Sequence, residues 1–128
     1  MSPFAVGGPY VVQLVYYFPD LNSPYFSPGV EYIGPSVEYP DAFYGQFSVN
    51  LKLRKIIINF LTSVGYGTAD FNGPVFTSLT SGAYLPEPAY FISTTTANPG
   101  ILTSTATTIY LNWNGLTFQQ GETIIIGW

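Results

Sequence analysis

Cysteine and histidine are both absent from the 128 residues. Without the first there are no disulfides or thiolate metal sites, so the chain carries no signal of its redox compartment. Without the second the chain lacks the usual general base near neutral pH and the commonest transition-metal ligand. Charge is scarce too: 8% of residues are Asp, Glu, Lys or Arg, against about 25% in an average soluble domain. None falls between Met1 and Pro19, or between Glu87 and Glu122. The only bases are Lys52, Arg54 and Lys55, and the net charge is -4, which excludes a phosphate-binding groove and with it nucleic acid as a partner. No apolar run approaches the roughly 18 residues of a membrane span. Gly7, Gly8 and Pro9 interrupt an N-terminus that has no basic n-region, so no signal peptide is expected.

The same scarcities weaken every catalytic design. A Ser or Thr nucleophile would need Lys or a carboxylate as its base, and no Ser-x-x-Lys spacing occurs. Glu31, Glu38 and Asp41 are close in sequence, but nothing in their spacing sets two acids on either side of a glycosidic bond; they read as solubilising a Pro/Tyr-rich loop. Asp70-Phe71-Asn72-Gly73 offers oxygen ligands but lacks the further acids of a calcium loop, and reads as a turn. We expect no enzyme, no catalytic residue, no cofactor and no metal.

What the chain has is aromatic and β-branched residues: 18% are Phe, Trp or Tyr, including 11 Tyr and 10 Phe. The most legible stretch is Thr107 to Trp128. Asn114-Gly115 tolerates positive φ at both centres of a type I′ turn and predicts a hairpin between Thr107–Trp113 and Leu116–Gln119. Thr123 to Ile126 then runs without a polar gap, as in a strand covered on both faces. Tyr10 to Phe18 is a second central strand. Phe47 to Leu53 alternates cleanly, with Phe47, Val49, Leu51 and Leu53 on one face. The parity slips at Arg54-Lys55, which predicts a bulge or a change of sheet. Short runs at Val75 to Leu79 and Ala89 to Ser93, and a Thr/Ser tract broken at Asn98-Pro99-Gly100, complete eight to ten strands with turn signals at intervals of roughly 8 to 12 residues.

The fold class is therefore all-β: an antiparallel two-sheet β-sandwich, jelly-roll-like, with the first strand, Tyr10 to Phe18, and the final strand at the sheet centres. Residues 1–9 form an irregular arm, and residues 10–128 a single β-sandwich domain. Within it, the region 21–45 is punctuated by Pro24, Pro28, Pro35 and Pro40 and reads as short edge strands or an extended loop. Val-Glu-Tyr occurs twice there, at Val30 and Val37, but two copies do not make a repeat architecture.

The low charge admits two readings: a secreted protein with a Thr/Ser-rich neutral surface, or a subunit covered by its neighbours. Interface cores are depleted in charge and enriched in aromatics, which favours the second. The contacting residues are then Phe4 and Val6 as anchors of the arm, and Tyr25, Phe26, Tyr32 and Tyr39 on the loop. Lys52, Arg54 and Lys55 are a single basic spot that could pair with an acidic patch on a partner or simply solubilise a strand edge. The surplus rings could instead stack on sugars, which makes a glycan the alternative partner.

At Trp113 to Ile126 the sequence WNGLTFQQGETIII, Asn-Gly-Leu-Thr-Phe followed two residues later by Gly-Glu-Thr-Ile, resembles the closing hairpin of many bacteriophage head and tail β-sandwich proteins. In its all-β composition without Cys or His, and its proline-containing arm, the chain is similar to small capsid cement and decoration proteins. The resemblance implies a structural virion protein located in the virion, a homo-oligomer that contacts a major capsid or other virion protein. It carries over no functional residue. The alternative expectation is a carbohydrate-binding β-sandwich module of a fibre or adhesin.

Overall fold

The computed structural model describes residues 11–32, 37–52, 55–79 and 88–127, and among them it is all-β with no helix. The strands are β1 (Val11–Tyr17), β2 (Pro24–Tyr32), β3 (Phe47–Lys52), β4 (Lys55–Phe60), β5 (Val64–Gly65), β6 (Gly73–Ser78), β7 (Tyr90–Thr94), β8 (Ile101–Ser104), β9 (Thr108–Asn112), β10 (Thr117–Phe118) and β11 (Thr123–Gly127). Antiparallel pairing builds a five-stranded sheet in the order β2-β1-β6-β9-β8 and a four-stranded sheet in the order β3-β4-β11-β7, with a ribbon of β5 and β10 beside them. The expected central strands are both interior: β1 lies between β2 and β6, and β11 between β4 and β7.

Alternation decides which side chains meet between the sheets. From the five-stranded sheet come Val12, Leu14, Tyr16, Phe76, Ile109 and Leu111; from the four-stranded sheet come Phe47, Val49, Leu51, Ile56, Ile58, Phe60, Ile124 and Ile126. Both sets are buried in one cluster, as expected of two sheets packed face to face. Trp113 is 0% exposed and sits among Phe47, Phe60, Tyr66 and Phe118, its ring centroid 5.1 to 5.3 Å from theirs. Its indole N–H donates to the Pro99 carbonyl, which satisfies the one polar group the ring buries.

Three expectations need correction. The Asn114-Gly115 turn exists, with Leu116 N–H donating to the Trp113 carbonyl, but only Gly115 has positive φ (71°), the pattern of a type II turn. It does not close a hairpin. Both sides of β9 are already occupied, by β6 and β8, so the chain beyond the turn pairs elsewhere, β10 with β5. Second, the parity slip at Arg54-Lys55 is neither a bulge nor a change of sheet. Leu51 pairs with Ile56 and Lys52 with Lys55, so β3 and β4 form a hairpin in one sheet and the core parity simply continues on the returning strand. Third, β11 is covered completely on one face only: Ile124 and Ile126 are fully buried, whereas Ile125 on the opposite face is half-buried.

Part of the Pro-rich region, Pro24–Tyr32, forms an edge strand. β2 holds Pro24 and Pro28, and its register against β1 shifts between Leu14 and Tyr16, so Ser27-Pro28 falls in a bulge where no ladder N–H is required. Both edges of the four-stranded sheet are managed as well. Glu38 places Oε1 on the Leu51 N–H at 2.7 Å, and Tyr39 bridges Val49 beside β3. β7 carries a bulge that leaves Ile92 outside the paired register.

Candidate functional site

Two features could meet another molecule: an aromatic notch at one end of the sandwich and the outer face of the five-stranded sheet. The notch is the open end of an aromatic series that starts in the core. Phe60 stacks on Phe118 at 4.2 Å, Trp113 joins them to Tyr66 and Phe47, and Tyr16 stacks on Phe43 at 4.2 Å with 4° between the planes. Phe43 then contacts Tyr25, Phe26 and Tyr44 at 6.0, 5.7 and 4.8 Å. Tyr25 and Tyr44 are 58% and 67% exposed, so the series ends in solvent.

The cavity between these rings holds about 280 Å³ and is lined by Tyr16, Phe18, Tyr25, Phe43, Tyr44 and Tyr66, with Gln46, Asn72, Gly65 and Gly67 completing it. Asn72 is its anchored floor. Its side chain accepts from the Tyr16 hydroxyl at 2.6 Å and donates to the Gly67 carbonyl at 2.9 Å, while its backbone carbonyl takes the Trp113 N–H. The Asn72 amide, within the stretch read from sequence as a turn, is thus committed to holding two walls. Gln46 accepts from the Tyr66 hydroxyl at 3.0 Å, and its Nε2 finds no acceptor among the described residues. Burial pushes the Tyr16 and Tyr66 hydroxyls far above the usual tyrosine range, and the proximity of Tyr66 raises Tyr16 further. Both stay protonated donors.

The lip of the notch is a tight turn. Ala42 N–H donates to the Phe47 carbonyl and Gln46 N–H to the Phe43 carbonyl. The two residues between, Tyr44 and Gly45, have φ of 46° and 72°. This is the type I′ geometry expected at Asn114-Gly115, found instead with tyrosine at a position that favours Asn, Asp or Gly. Asp41 Oδ1 fixes it through the Gly45 N–H at 2.6 Å.

The second feature follows from register. The outward residues of the five-stranded sheet are Val11, Gln13, Val15 and Tyr17 on β1, Val30 and Tyr32 on β2, Val75 and Thr77 on β6, Thr108, Tyr110 and Asn112 on β9, and Ile101 and Thr103 on β8. None is charged. Val30, Tyr32 and Ile101 are 48%, 64% and 62% exposed. The opposite outer face is mixed: Ser48, Asn50, Asn59, Thr123 and Ser93 share it with Ile57, Ile125 and Tyr90, and Lys52 and Lys55 are paired at its hairpin end.

No family model, curated protein or solved structure matches the chain. Its surfaces must therefore be read on their own chemistry.

Of the contact residues read from sequence, Phe4, Val6 and Arg54 lie outside the described residues. Tyr25 and Phe26 are brought together at the notch, Tyr25 exposed and Phe26 half-buried against Phe43 and Tyr44. Tyr32 stands on the neutral sheet face, away from them. Tyr39 is a correction: it is 4% exposed and its hydroxyl donates to the Val12 and Gly29 carbonyls, so it belongs to the chain's own core. Lys52 and Lys55 sit together, Lys55 exposed. The acids of the loop do more than solubilise it, since Glu38 and Asp41 both accept backbone N–H groups. Sequence reasoning missed Gln46, Tyr66 and Asn72 as neighbours. Gly65-Tyr66-Gly67, a ring framed by two glycines, was the available signal.

Proposed function

We propose that the protein is a structural virion component, a capsid decoration or cement protein or a minor head or tail component, that acts by burying neutral surface against neighbouring subunits. The observation that carries the reading is the uncharged outer face of the five-stranded sheet, with Val30, Tyr32 and Ile101 presented to solvent. Interface cores are depleted in charge in this way. The outer face of the other sheet differs in charge, since it carries Lys52 and Lys55 at its hairpin end. Burial of apolar area contributes roughly 25 cal/mol per Å² before association costs are subtracted. Flat neutral contact of this kind needs no catalytic group.

The test is to place charge on that face. Val30→Lys combined with Ile101→Lys is expected to leave the thermal midpoint within a few degrees of wild type, because both side chains are already exposed, and to abolish higher-order mass in light scattering over a tenfold concentration range together with binding to particles. Unchanged assembly and particle binding in a folded double variant would refute the role of this face. Removal of residues 1–9 is expected to weaken attachment in the same way while leaving the isolated fold intact; normal attachment of the truncated chain would remove the arm from the mechanism.

A further inference from the structure

The aromatic notch is a different surface from the neutral sheet face, and its chemistry points to a small ligand. We infer that it binds a single neutral pyranose ring, such as a terminal sugar of a glycan, between Tyr25 and Tyr44, with Gln46 and the two tyrosine hydroxyls reading the sugar hydroxyls over a floor fixed by Asn72. Four observations converge. The first is shape: a cavity of about 280 Å³ is just smaller than the usual small-molecule site of roughly 300 to 1,000 Å³, which suits a ligand the size of one sugar ring. A pyranose presents a C–H face that packs on aromatic faces and a rim of hydroxyls that needs both donors and acceptors. The notch supplies ring walls and planar amides in that combination.

The second observation is that donors remain. Gln46 Nε2 has no acceptor among the described residues, and the Tyr25 and Tyr44 hydroxyls make no protein hydrogen bond there. Oxygen acceptors of a sugar would satisfy them. The third is the conformation of Tyr44. A non-glycine residue at φ 46° is uncommon and costs of order 1 kcal/mol or more. The type I′ turn would form more readily with Asn at this position, which would remove the ring from the lip. Tyrosine keeps a strained backbone and gains an exposed ring beside Phe26 and Phe43.

The fourth is charge. Among the described residues, no Asp, Glu, Lys or Arg lines the cavity. Asp41 is nearby in sequence but is spent on the Gly45 N–H. Lys52 lies five residues along β3 from Phe47, about 17 Å at the rise of a strand. A carboxylated or phosphorylated sugar would find no cation here, so the ligand is neutral. A proline-rich peptide, the other common ligand of aromatic surfaces, needs ridges along an open groove, whereas these rings converge on one floor closed by Tyr16 and Asn72.

The experiment is ligand-observed saturation-transfer NMR on the full chain with a panel of neutral monosaccharides and their methyl glycosides, alongside sialic acid and a proline-rich decapeptide. The expected result is saturable transfer to ring protons of at least one neutral sugar at millimolar concentration. Binding should weaken at least tenfold in Tyr44→Ala, Tyr25→Ala and Gln46→Ala, and should be unchanged in Tyr90→Ala, an exposed ring on β7 that does not line the cavity. Each variant's thermal midpoint is measured in parallel, and Tyr44→Asn serves as a second lip variant chosen to preserve the turn. No transfer to any neutral sugar, transfer that survives both tyrosine variants, or selective binding of sialic acid or the peptide would each overturn the inference.

Discussion

Tyr16 and Tyr39 show how much the fate of a ring depends on its hydroxyl. Tyr16 is 2% exposed, and its hydroxyl is the donor to a buried Asn72 oxygen at 2.6 Å. Tyr16→Phe keeps the stacking on Phe43 but leaves that oxygen without its donor, which costs about 1 to 3 kcal/mol. Urea denaturation should show this as a lower midpoint at unchanged m-value. A variant as stable as wild type would mean Asn72 finds another partner. The glycines divide the same way. A Cβ on Gly73 would lie 1.9 Å from the Leu111 carbonyl oxygen, so Gly73→Ala has to move backbone between β6 and β9 and is expected to prevent folding or cost several kcal/mol. Gly121, at φ 88°, has nothing within 4 Å of the added carbon, and Gly121→Ala should cost only about 1 kcal/mol from backbone strain. Circular dichroism melts of the two variants compare them directly, and equal midpoints would contradict the close approach at Gly73. Neither distinction is visible in sequence. Val30-Glu31-Tyr32 and Val37-Glu38-Tyr39 have identical residues, yet Glu31 and Tyr32 are exposed while Glu38 and Tyr39 are buried, because only the second copy lies against β3.

Among the elements, local alternation was a reliable guide to strands and their inward faces, because a period of two is written in adjacent residues. Phe47, Val49 and Leu51 face the core as their spacing requires. Pairing was harder to read, because it depends on which strand edges are free. Asn114-Gly115 is a sound turn signal, but the partner its hairpin required, β9, was already flanked on both sides. The true type I′ turn, at Tyr44-Gly45, was hidden because tyrosine is a poor residue for it. This turn yields a prediction. Tyr44→Asn relieves of order 1 kcal/mol of backbone strain and loses ring contacts that, for a side chain 67% exposed, are worth a similar or smaller amount. Stability is therefore expected within about 1 kcal/mol of wild type in chemical denaturation. A loss of 3 kcal/mol or more would show that the ring holds the fold, and that its place at the lip needs no ligand to explain it.

At the scale of the molecule, the aromatic surplus that looked like an interface is divided. Tyr16, Tyr39, Phe43, Tyr66 and Trp113 are consumed by the chain's own core, and the exposed rings are split between the notch (Tyr25, Tyr44), the neutral sheet face (Tyr32) and β7 (Tyr90). That internal use has a pH consequence. Burial raises the hydroxyls of Tyr16, Tyr39 and Tyr66 well above the ordinary tyrosine value, with Glu31 and Glu38 adding to the effect at Tyr39. In the unfolded chain tyrosine titrates near 10. Above that pH the unfolded state sheds protons the folded state retains, so the contribution of these groups is complete below about pH 10 and declines as pH rises further. Each ring that keeps its proton contributes a fall of up to about 1.4 kcal/mol per pH unit. Urea midpoints are expected to be flat from neutral pH to about pH 9.5 and then to drop steeply. The slope should be shallower in Tyr66→Phe, which removes one such proton and also the donor to Gln46, so its midpoint starts lower at neutral pH. A midpoint that held steady to pH 12, or a slope indifferent to Tyr66→Phe, would mean that these hydroxyls reach water in the native state. The core would then be open at the same end as the notch.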